Sequence, residues 1–114
     1  MQADGLYLVL PQERLLKILN NSGVPKKTWR DQIFDCDDFA MVFKAEVGKW
    51  GDKTFKADKF AILCGIMFGT KGKEGHAYNW TLDSKDLNTV IFFEPQTGEF
   101  SRNAWNWKAY FGLF

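Results

Sequence analysis

Apolar positions along this chain change their period near its middle, separating a helical first half from a stranded second half. The short run Leu6-Tyr7-Leu8-Val9-Leu10 comes first, and Pro11 then opens a helix in which Leu15, Leu16 and Leu19 share a face with Ile18 beside them. Asn20-Asn21-Ser22-Gly23 ends that helix, and Pro25 keeps it from resuming. A polar connection from Lys26 to Gln32, containing Trp29, leads to a second helix predicted to start at Asp35 or Cys36. Asp35 suits the N-cap, and Asp38 three residues on completes a capping-box pattern. Phe39, Val42, Phe43 and Val47 follow at helical spacing, with Gly48 as the predicted stop.

Beyond the polar stretch Gly51 to Lys59 the helical period disappears. Lys59 to Thr70 is an apolar run that reads as a buried strand. Thr70-Lys71-Gly72-Lys73-Glu74-Gly75 is turn-like, and His76 to Leu82 alternates, placing His76, Tyr78 and Trp80 on one face. Thr89 to Glu94 forms a third strand, and Pro95-Gln96-Thr97-Gly98 turns into Glu99-Phe100-Ser101. The tail around Trp105 and Trp107 is aromatic enough to pack back on the body. Helices followed by an antiparallel sheet give an α+β domain, and the length fits one domain over residues 1–114.

Composition narrows the partners. An aromatic fraction of 17%, with 11 Phe and 5 Trp, is that of a globular core and not of a disordered chain. Fifteen basic residues against 14 acids leave a net charge of +1, so no global field recruits nucleic acid or an anionic membrane. No apolar stretch is long enough to span a bilayer, and the start, Met1-Gln2-Ala3-Asp4-Gly5, lacks a signal-peptide pattern. Of the two cysteines, Cys64 sits in the apolar run Phe60 to Phe68 and reads as a small buried hydrophobe, while Cys36 stands among acids.

Candidate chemistry centres on Cys36. A thiol in the first turn of a helix feels the positive end of the macrodipole, which favours the thiolate, although adjacent carboxylates oppose it. His76, the only histidine, is the one side chain whose unperturbed pKa suits proton transfer near neutrality. Glu94 can hold the other ring nitrogen; Asn79, three residues along the same strand, points to the opposite face. Asp37 and Asp38 with Gln96 offer hard oxygen ligands for calcium or manganese. Cys, His and acid in that order match the chain order of papain-like and transglutaminase-like enzymes.

At Asp35-Cys36-Asp37-Asp38-Phe39-Ala40, His76-Ala77-Tyr78-Asn79 and Glu94-Pro95-Gln96-Thr97-Gly98 the chain resembles the papain-like cysteine-protease domain at the C-terminus of fungal agglutinin lectins. The resemblance implies a papain-like/transglutaminase-like minimal fold, with Cys36 at a helix N-terminus packed on a small antiparallel sheet. It implies Cys36 as nucleophile, His76 as general base and acid, Glu94 as orienting acid, and calcium or manganese at Asp37, Asp38 and Gln96. Trp29 or Gln32 would contribute to an oxyanion hole. Residues 1–114 are not expected to include a sugar-binding trefoil, so the resemblance does not itself imply lectin activity.

The leading expectation is therefore a cysteine hydrolase, a peptidase acting on a peptide or protein substrate with metal activation. The alternatives are an acyl transferase using the same three residues, or a non-catalytic binding module that retains the fold.

Overall fold

The computed structural model describes residues 7–24, 30, 35–55 and 61–113. Its elements run β1 (Tyr7–Leu8), α1 (Gln12–Ser22), α2 (Cys36–Thr54), β2 (Ala61–Ile62), β3 (Gly65–Lys71), β4 (Glu74–Asp83), β5 (Asp86–Glu94), β6 (Glu99–Ser101) and β7 (Lys108–Leu113). β1 and β2 form a short parallel pair, and the remaining strands form one sheet in the order β6-β5-β4-β3-β7. Every pairing in that sheet is antiparallel.

Local chemistry sets the helix ends. Pro11 precedes α1 with its carbonyl accepting from Arg14 and Leu15, and Gly23 closes it at φ 81°, a left-handed conformation that glycine adopts without a side-chain penalty. At the start of α2, Asp35 and Asp38 form a reciprocal capping box: each carboxylate accepts the other residue's backbone N–H. The helix does not stop at Gly48 as its sequence suggests; it runs on to Thr54. A glycine inside a helix costs only about 1 kcal/mol, and Val47 and Trp50, on either side, pack against the core.

The apolar stripe of each helix meets the sheet at one core. Leu15 and Leu19 of α1, Phe39, Phe43 and Val47 of α2, Cys64 and Phe93 are buried together. The Phe43 and Phe93 rings lie 4.9 Å apart, and Phe93 and Phe100 lie 4.5 Å apart, so the aromatic stack joins α2 to the β5–β6 edge. A smaller cluster of Ala40, Ile66 and Ala77 lies beneath the first turns of α2, with Cys36 and Phe68 against it. Small residues there let the helix approach the sheet closely.

The apolar run read as one strand from Lys59 to Thr70 breaks at Leu63 and Cys64, between β2 and β3. The carbonyls freed by that break take side-chain donors: Thr81 Oγ1 to Leu63 O at 2.8 Å, Lys44 Nζ to Cys64 O at 2.7 Å, and Asn79 Nδ2 to Gly65 O at 3.1 Å. Buried carbonyls left without donors would each cost about 1–3 kcal/mol, so these bonds make the break tolerable.

Gly65 also marks a close approach. A Cβ there would fall 2.1 Å from Trp80 Nε1 and 2.5 Å from the Leu113 carbonyl, two groups that bond each other at 3.2 Å. Gly65→Ala should therefore lower stability by about 1–3 kcal/mol, as overpacking does. Urea denaturation should show a lower midpoint with an unchanged slope; an unchanged midpoint would mean that β7 yields without cost.

Candidate functional site

α2 delivers Cys36 as its first residue, on the Ala40–Ile66–Ala77 cluster. The capping box commits Asp35 and Asp38 to backbone donors, and Asp37 takes no part in it. The acids that looked unhelpful to a thiol are in part structural, since anionic residues suit the positive end of a helix.

β4 supplies His76 and the end of β5 supplies Glu94. His76 Nε2 is hydrogen-bonded to Glu94 Oε1, and the Cys36 thiol is the ring's other polar neighbour. Glu94 is itself fixed: its second carboxylate oxygen accepts the Gln96 N–H at 3.2 Å, and its carbonyl accepts the N–H groups of Thr97 and Gly98. Asn79, the rival partner for His76, instead donates to the carbonyls of Ala40 and Gly65 at 2.9 and 3.1 Å.

Burial alone would lower the His76 pKa. Hydrogen bonds to Cys36 and Glu94, with their electrostatic attraction, outweigh it and raise the value from 6.5 to about 9. The ring is thus an imidazolium at neutral pH. Cys64 behaves oppositely: burial pushes its thiol up to about 12, against a smaller downward pull from Lys44. Both cysteines are free, so the disulfide that two cysteines allow is not formed.

The aromatic tail completes the site in a way the sequence did not announce. Trp107 lies over His76, ring centroids 5.1 Å apart and planes 33° from parallel. It is brought there by a tight turn in which Ala104, Trp105 and Asn106 all take positive φ, between 53° and 69°. Three consecutive non-glycine residues in that region carry strain of about 1 kcal/mol or more each. The turn is held by Asn103 Oδ1 and Ser101 Oγ accepting from Trp105 N–H, and by Lys71 Nζ donating to the Trp105 carbonyl. Lys71 also sits 4.8 Å from the Trp107 ring centre. No glycine or proline signals this turn; only the density of tryptophan hinted at a role.

Beyond Glu94 lies a cavity of about 220 Å³ lined by Gln96, Thr97, Glu99, Trp105 and Trp107. Of the predicted metal set, Asp37 and Asp38 come together with Asp35, their carboxylate oxygens all within 4.8 Å of one another. Gln96 lines the cavity beside Glu94. Trp29 and Gln32, the two candidates for an oxyanion hole, lie outside the described residues.

The structure thus brings Cys36, His76 and Glu94 together at the junction of a capped helix and an antiparallel sheet, and the chain belongs to the Agglutinin C-terminal family, whose profile matches residues 7–100. None of the curated proteins matches the chain. Two solved structures are similar to it throughout: the PSL1a–E64 complex, and Polyporus squamosus lectin bound to the human-type influenza-binding epitope Neu5Aca2-6Galb1-4GlcNAc. Each is 56% identical with a TM-score of 0.92, covering 95% of this chain. This chain spans 39% of the length of each.

These findings correct the sequence reading. The family and the matched structures are those of an agglutinin and a lectin, so the assignments of a papain-like or transglutaminase-like fold, and of a cysteine peptidase or hydrolase, give way to a small α+β domain with an antiparallel sheet that matches part of those structures. The comparisons favour the binding-module alternative. They support a ligand as partner, since the relatives are solved with a glycan epitope and with E64, but not a peptide substrate specifically.

The raised His76 pKa has a direct consequence. Its contribution to stability is fully present below 6.5 and is lost as pH rises through about 9. With a single histidine in the chain, ring-proton NMR should show one inflection near 9. An inflection near 6.5 would mean that the contacts to Cys36 and Glu94 are not held in solution.

Proposed function

We propose that this chain is a ligand-binding module of a lectin-type protein, with its ligand site centred on Cys36, His76 and Glu94. The observation that carries the reading is the grouping of Cys36, His76 and Glu94, in which a thiol and a cationic ring lie side by side next to the cavity that Glu94 helps to line. A relative 56% identical over this chain and solved in complex with E64 supports a small-molecule ligand. The glycan of the other matched structure is the second candidate. Trp105 and Trp107 favour it, because indole faces stack on sugar rings while Glu99 and Gln96 can accept and donate to hydroxyls.

The residues around Asp37 also fit a hard cation. Three carboxylates within 4.8 Å supply the oxygen donors that calcium or manganese prefers. We assign Asp37 and Asp38 to such an ion, with Asp35 as a third carboxylate and Gln96 as the amide ligand the sequence suggested. An ion there would offset the negative charge beside the thiol.

Intact-mass analysis and calorimetry with E64 test the site. The wild-type chain should bind E64, and Cys36→Ala should lose at least tenfold in affinity, whereas Cys64→Ala should not; equal binding by Cys36→Ala would remove the thiol from the site. For the ion, millimolar calcium should raise the melting temperature of the wild type but not of Asp37→Asn. That variant spares the capping box, so its own fold should be intact. A rise of the same size in Asp37→Asn would move the ion elsewhere.

A further inference from the structure

The cleft between α1 and α2 lies outside the site just described and carries a different chemistry. It encloses about 180 Å³ and is lined by Arg14 and Lys17 from α1 and by Lys49 and Lys53 from α2. Among the described residues only one carboxylate, Glu46, faces it, and that carboxylate is already paired with Lys49 at 3.0 Å. Four cations against one engaged acid is a steep local excess in a molecule whose net charge is +1.

Helix polarity does not account for this grouping. A lysine near a helix C-terminus is favoured by the macrodipole, but only Lys53 lies in a last turn; α1 has no basic residue in its own. Arg14 lies near the opposite end of α1, and its guanidinium is steadied 5.4 Å from the centre of the Trp50 ring. Trp50 and the buried Ile18 give the cleft an apolar wall. A guanidinium held in orientation, with ammonium groups around it, is the donor set that suits a tetrahedral oxyanion. The volume fits a phosphate or sulfate group with little attached. Without an anion Arg14, Lys17 and Lys53 have, among the described residues, no carboxylate in the cleft beyond the one paired with Lys49, so binding should relieve their repulsion and raise stability.

We infer that the α1–α2 cleft is a binding site for a phosphate- or sulfate-type oxyanion, independent of the Cys36 site. Arg14 is the orienting ligand, and Lys17, Lys49 and Lys53 supply the remaining charge. A soluble anion and the headgroup of an anionic lipid both carry this chemistry.

Thermal unfolding at fixed ionic strength tests it, with inorganic phosphate, inorganic sulfate and chloride as parallel titrants. Phosphate or sulfate should raise the melting temperature saturably where chloride does not, and Arg14→Gln with Lys49→Gln should weaken this response at least tenfold. The exposed lysines Lys73 and Lys85, replaced by Gln, should leave it unchanged. Co-sedimentation with phosphatidylcholine vesicles containing phosphatidylinositol 4-phosphate separates the sources. Pelleting lost in the Arg14/Lys49 variant identifies a lipid headgroup, and a response to the free ions alone identifies a soluble ligand. An equal, unsaturable response to all three salts, or an undiminished response in the Arg14/Lys49 variant, overturns the inference. E64 binding by the same variants should stay at the wild-type level, so failure here is distinguishable from failure at Cys36.

Discussion

The arrangement depends most on one buried amide. Asn79 is 1% exposed, and its Nδ2 donates both to the Ala40 carbonyl of α2 and to the Gly65 carbonyl at the start of β3. Helix and sheet are thereby tied at a point one turn beyond Cys36 and three residues beyond His76. A buried amide that lost both acceptors would be strongly penalised, so the register between α2 and β4 is tightly specified. That register lets a thiol on a helix meet an imidazole on a strand. Lys44 and Thr81 extend the same device to the neighbouring carbonyls of Cys64 and Leu63.

Charge is then distributed so that three of the acids near the site are held by partners within the fold. Asp35 and Asp38 satisfy the helix start, while Glu94 is divided between the His76 ring and the Gln96 amide. His76, partly buried and stacked by Trp107, keeps its proton well above its ordinary range because Cys36 and Glu94 both attract the charged ring. A cationic ring beside an aromatic face gains further stabilisation from the ring quadrupole. The strained turn at Ala104–Asn106 is consistent with this, because it places Trp107 where the imidazolium is. Strain in this position is tolerated only where the surroundings over-determine it, and here Ser101, Asn103 and Lys71 all bind Trp105.

Much of this was legible in the residues, for identifiable reasons. The capping pair Asp35 and Asp38, the apolar stripe of α2 and the strand alternation from His76 are local signals, and local signals survive folding. Glu94 could be preferred over Asn79 as the partner of His76 because strand alternation fixes sidedness. The rest depends on long-range contacts. The continuation of α2 past Gly48 comes from packing of Val47 and Trp50, and the break at Leu63–Cys64 from donors distant in sequence. Of the three positive-φ residues in the Trp105 turn only Asn106 is of a type that favours that region, so the local mark is weak. Function was less legible than geometry: the order of Cys, His and acid suggested a peptidase, whereas the family and its solved relatives are those of a lectin. A constellation of side chains specifies what a site can hold more securely than what the protein does with it.

The most direct test of the account is a crystal structure of this chain grown with E64. The account predicts the ligand in contact with the Cys36 sulfur and the His76 ring, with Trp107 alongside and Glu94 still bonded to Nε2. Ligand density remote from Cys36, or His76 turned away from Glu94 in the complex, would contradict it.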